Sequence, residues 1–81
     1  MNQSFSNPIL NQIEREIPAF GAALRQHQKR EGISESELLA SLRRCVIGAA
    51  TGEDISIMPV LNRLSVRDEM WISSVISKQE G

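Results

Sequence analysis

The amino-acid sequence predicts an all-α fold, a small bundle of four to five short helices. Three observations predict it. Apolar residues recur at steps of three and four through most of the chain, the spacing that keeps side chains on one face of a helix. Helix start and stop signals bracket those runs in the right order. No window sustains period-two alternation, and no Asn-Gly or Asp-Gly pair marks a hairpin turn.

Residues 1–6 read as a flexible tail, and 7–79 as a single helical domain. Asn7-Pro8 opens the first helix: the Asn oxygen can cap, and Pro at the first position gives up an N–H that has no partner anyway. Leu10, Ile13, Ile17, Phe20, Leu24 and His27 then form one stripe. Pro18 interrupts it, at a cost of roughly 3 kcal/mol inside a helix. Either one helix kinks there or one ends at Ile17 and another begins at Pro18. The unbroken stripe favours two segments that stay roughly collinear. Gly32 stops this run after Lys29 and Arg30, whose charges suit a helix C-terminus.

Ser34-Glu35-Ser36-Glu37 has the spacing of a capping box. Leu38, Leu39, Leu42, Cys45, Val46 and Ala49 form the next stripe, and Gly52 is expected to close it. Ser56 is expected to cap a short helix with Ile57, Leu61 and Leu64 inward and Pro59 in its first turn. Ser65 to Asp68 repeats the capping spacing. The last helix carries Ile72, Val75 and Ile76, with Met70 and Trp71 near its start.

Composition narrows the function. A chain of 81 residues buries only about 60% of the surface its unfolded form exposes, so the core is thin. One cysteine and one histidine leave too few ligands for a structural zinc site and no internal disulfide. Association is the remaining route by which small domains gain stability, so a protein partner and a homo-oligomer are expected. The lone cysteine suggests a reducing compartment. Met1 to Asn7 lacks Lys and Arg, unlike a secretory signal. No apolar stretch is long enough to cross a membrane. A cytoplasmic location follows as the expectation.

The chemistry-bearing residues are few. His27 ends an apolar stripe and reads as a boundary residue rather than a base. Cys45 follows two arginines, which could lower its pKa, but its helix face is apolar and it reads as a small core residue. There is no phosphate loop and no paired-carboxylate motif. The expectation is a protein that is not an enzyme and carries no cofactor or metal. Gly48 and Ala49 belong to a run of small residues that lets another backbone approach. Met70 and Trp71 are the other candidate contacts, since Trp is enriched at binding hot spots. Arg25, Lys29, Arg43 and Arg44 lie in two acid-free stretches within a chain whose net charge is −1. They are candidate contacts for phosphate or for an acidic partner.

Phe20-Gly21-Ala22-Ala23-Leu24-Arg25, then Gly32-Ile33-Ser34-Glu35, then Leu38 and Leu42, resemble the opening of a Cro/repressor-type helix-turn-helix domain. The likeness covers residues 20–42 and extends faintly to Pro59, Leu61 and Leu64. It implies a helical hairpin and DNA binding, with the four cations on phosphates. The segment it would place at base edges, Val46 to Glu53, offers Ile, Gly and Ala, whereas base readout uses polar side chains. Two readings follow. The first is a soluble interaction module that regulates, adapts or inhibits a protein partner. The second is a DNA-binding transcriptional regulator.

Overall fold

Local chemistry sets most of the helix ends. Asn7 accepts the N–H groups of Ile9 (2.9 Å) and Leu10 (3.2 Å), which starts α1, Pro8–Glu16. The computed structural model describes residues 5–80. After α1 come α2 (Pro18–Glu31), α3 (Glu35–Val46), a 3-10 helix (Gly52–Ile57), α4 (Met58–Leu61) and α5 (Val66–Glu80). No strand occurs among the described residues. The fold is the expected all-α bundle.

Pro18 separates two helices. Ile17 alone lies between them, at φ −131° and ψ 78°. Its N–H still reaches the Ile13 carbonyl, and its own carbonyl accepts the Gly21 N–H, both at 2.9 Å. The expected collinear course is wrong. Residues seven apart on one straight helix would be separated by about 10 Å along its axis. Here a Cβ built on Gly21 would stand 2.8 Å from Glu14 Cα. The chain has folded back, and the absent side chain of Gly21 permits the contact. Arg25 and Glu14 close the elbow with a 2.9 Å ion pair. The stripe survives because periodicity reports which face is buried and carries no information about the turn of the axis at Ile17.

Gly32 ends α2 in the left-handed conformation (φ 66°), where glycine carries no Cβ penalty. Ser34 and Glu37 form the predicted capping box: the Glu37 N–H donates to Ser34 Oγ (3.1 Å) and the Ser34 N–H to Glu37 Oε1 (3.0 Å). The end of α3 differs from expectation. The helix stops at Val46 and Gly48, at φ 77°, is the residue that closes it. The Gly48 N–H donates to the Cys45 carbonyl and the Ala49 N–H to that of Arg44, the paired bonds of a Schellman ending. Gly52 starts the next helix instead. Thr51 caps it, its Oγ1 accepting the Glu53 N–H at 3.3 Å; Ser56 does not cap α4, where Ile57 holds the cap position with no side-chain bond. Ser56 lies inside the 3-10 helix. Pro59 falls in the first turn of α4 as expected. Ser65 Oγ accepts the Asp68 N–H (3.1 Å) at the start of α5.

The core joins Leu10 and Ile13 of α1, Phe20 and Leu24 of α2, Leu38 and Leu42 of α3, Ile57, and Ile72 and Ile76 of α5. Phe5 belongs to it, at 4% exposure. The expected tail therefore does not hold at its end: Phe5 is buried, and Ser6 donates its N–H to Glu35 at 3.1 Å. Residues 1–4 of that tail lie outside the described residues. No helix is long and apolar enough to cross a membrane among the described residues.

Candidate functional site

The most constrained polar cluster is the seam between α3 and the 3-10 helix. Asp54 is 1% exposed. Its Oδ1 accepts from Ser41 Oγ at 2.6 Å and Arg44 Nη2 at 2.7 Å, and its Oδ2 accepts from Arg44 Nε at 2.8 Å and the Thr51 N–H at 2.9 Å. The Arg44 contact is bidentate, the geometry that fits guanidinium to carboxylate. Arg44, Ser41 and the Thr51 backbone hold the Asp54 carboxyl far below the usual carboxylate range. The cluster is satisfied from within the chain and acts as a staple.

This places two of the four candidate cations. Arg44 is bound to Asp54 and Arg25 to Glu14. Lys29 is exposed and Arg43 half-buried. Cys45 is half-buried with its Sγ 3.7 Å from Met58 Sδ, and burial pushes its thiol pKa up, away from a reactive thiolate. The four candidate contact residues fall in two places. Gly48 and Ala49 are exposed in the loop after α3, and Gly48 is accounted for by its cap geometry. Met70 is 68% exposed on α5. Trp71 is half-buried and lines a depression with Glu16, Ile17, Arg67 and Asp68 at the elbow.

Two features extend the sequence expectations, which named Met70 but not Val66. The first is apolar exposure. Val66 (72%) and Met70 (68%) stand one turn apart on one face of α5. Ile47, Ile55 and Met58 are also exposed, and Met58 lies against Cys45 near the end of α3. The signal was available, because Val66 and Met70 fall outside the Ile72, Val75 and Ile76 stripe. The second is a cavity of about 110 Å³ between the C-terminal half of α2, α3 and the 3-10 helix. His27, Ser41, Arg44 and Asp54 line its inner side, and exposed Glu31, Glu37 and Glu53 its rim. His27 is 2% exposed, and its Nδ1 has no hydrogen-bond partner among the described residues. Burial lowers its pKa, with Glu31 opposing that and Arg30 adding to it. No cluster of three or more metal-ligating side chains occurs among the described residues.

No family model, no curated protein and no solved structure matches this chain.

Proposed function

We propose that this protein is a helical protein–protein interaction module that regulates, adapts or inhibits a partner and also self-associates, in the cytoplasm, by binding rather than by catalysis. One observation carries the reading. Val66 and Met70 expose most of their apolar surface on adjacent turns of α5, beside half-buried Trp71. Covering apolar surface contributes roughly 25 cal/mol per Å², and an aromatic next to such a patch is the usual anchor of a binding hot spot. The strongest polar cluster is spent internally on Asp54, which leaves this apolar face as the feature that calls for a partner.

The test is sedimentation and native mass measurement over a wide concentration range, together with capture from extract, for the wild type and a Val66→Ser/Met70→Ser variant. The expected result is a self-associated or partner-bound species that the variant loses while keeping its helical content and Tm. A monomer at every concentration that captures nothing overturns the reading. A mobility-shift series at about 50 mM salt forms a separate arm. Retention of DNA that weakens steeply with added salt would transfer support to the helix-turn-helix reading.

A further inference from the structure

The exposed face of α5 has the pattern of a helix that lies beside another helix. Val66, Met70, Ser73 and Ser77 follow at steps of four, three and four, the spacing that keeps one line of contact between two paired helices. Buried Ile72, Val75 and Ile76 occupy the other side of α5. Val66 and Met70 are 72% and 68% exposed. Further along the line Ser77 is exposed and Ser73 half-buried, and their small side chains let a second helix stay close.

Charge marks the two edges of that line. Each helical residue turns by about 100°, so Arg67 falls about 80° to one side of the Val66–Met70 line and Glu69 about 80° to the other. Both are exposed, and neither side chain has a hydrogen-bond or ion-pair partner among the described residues. A surface that pairs with its own copy about a two-fold axis must complement itself. An apolar line with one sign of charge on each edge does so in one orientation. When two such helices run parallel, opposite edges meet, and Arg67 of each copy faces Glu69 of the other. When they run antiparallel, like edges meet, and the charges repel.

We propose that two copies of this chain pair through α5 running parallel, with Val66 and Met70 packed on their counterparts and an Arg67–Glu69 pair across each edge. The inference rests on the function proposed above for the choice of face, and it names a second copy as the occupant. About three turns of one helix make a contact smaller than the roughly 800 Å² per partner of a standard interface, so the pairing depends on concentration.

The test is sedimentation equilibrium of the whole chain from micromolar to millimolar concentration, with circular dichroism to check helical content. Fluorescence of half-buried Trp71, the one tryptophan, gives a second readout beside Met70. The wild type should dimerise across that range. Arg67→Glu and Glu69→Lys each turn two attractive contacts into repulsive ones and should each weaken the dimer about two- to tenfold, the range of two exposed charge pairs. An equimolar mixture of these two variants restores both attractive contacts, as does the Arg67→Glu/Glu69→Lys double variant, and both should associate as the wild type does. Single variants that dimerise like the wild type, or a double variant no tighter than the singles, overturn the parallel pairing. A wild type that stays monomeric at millimolar concentration overturns the proposal outright. If that monomer still captures a partner that the Val66→Ser/Met70→Ser variant loses, the interaction-module reading stands while this one falls. If the wild type and the Val66→Ser/Met70→Ser variant dimerise equally, the face is wrong and both fall.

Discussion

Glu14 at the elbow and Asp54 at the α3 seam are both carboxylates gripped by an arginine, and they hold very different structures. The elbow joins two helices that each contribute buried apolar residues, Leu10 and Ile13 against Phe20 and Leu24. Glu14 and Arg25 lie over that contact with side chains 12% and 30% exposed. The seam holds a 3-10 helix of six residues, a form with poor hydrogen-bond geometry that rarely persists alone. Ile57 is the fully buried apolar side chain it offers. There the polar cluster substitutes for missing apolar area. Packing holds the elbow and decorates it with a charge pair; at the seam the charge pair is the connection.

Replacing the two carboxylates tests that contrast most severely. Asp54→Asn leaves Arg44 and Ser41 facing a neutral amide and should lower Tm by about 10 °C or more, given the cost of breaking a buried pair in a domain this small. Glu14→Gln should lower it by less than about 5 °C, as expected of a partly exposed pair. Equal losses in thermal melts would erase the distinction. The two glycines come next. Gly21→Ala drives a Cβ to 2.6 Å from Glu14 Cγ and 2.8 Å from its Cα. Overpacking of this kind costs about 1–3 kcal/mol, less the small gain in helix propensity. Gly52→Ala meets nothing within 4 Å and should change urea-melt stability by under about 0.5 kcal/mol. If instead the Gly52 variant is the weaker of the two, packing does not govern the elbow.

Acid should expose the seam selectively. Asp54 has a depressed folded pKa against about 3.9 when unfolded. Its contribution is complete above about pH 5 and is lost as pH falls below about 4. His27 also has a lowered folded pKa, so its contribution is present above about pH 6.5 and declines as pH falls from there. Tm measured from pH 7 to 2 should therefore fall in two stages, and Asp54→Asn should flatten the lower one. An unchanged lower stage in that variant would show that another carboxylate governs it. Gly48→Ala falls between the other two glycine variants. The position has φ 77° with open space around it, so only the backbone penalty remains, about 1 kcal/mol.

How much of this was legible follows the range of each interaction. The Asn7 cap, the Gly32 stop and the Ser34 box involve residues within four positions of each other, and each was readable. The stripe through Pro18 correctly named the buried face from Leu10 to His27. It could not reveal the fold-back, because a straight pair and a hairpin bury the same periodic positions. A glycine inside a helix is poor for helix propensity, so Gly21 was the available sign of a close approach. Arg44 and Asp54 lie ten residues apart on separate elements, and no local pattern joins them. Phe5 was missed as one apolar residue among polar neighbours. The cavity was invisible for the same reason as the seam, since His27, Glu37 and Glu53 come together only through three elements.

Glu35 accepts the Asn7 N–H at 2.7 Å and the Ser6 N–H at 3.1 Å, across 28 and 29 residues. That clasp draws the beginning of the described chain to the start of α3, enclosing α1 and α2 within one loop. The contacts of the elbow are local in sequence and can form early, whereas the clasp needs the whole loop closed first. It is thus a late event in folding and an early one in unfolding. Weakening it is expected to speed unfolding and leave the folding rate nearly unchanged, which stopped-flow folding and unfolding of a Glu35→Gln variant would read.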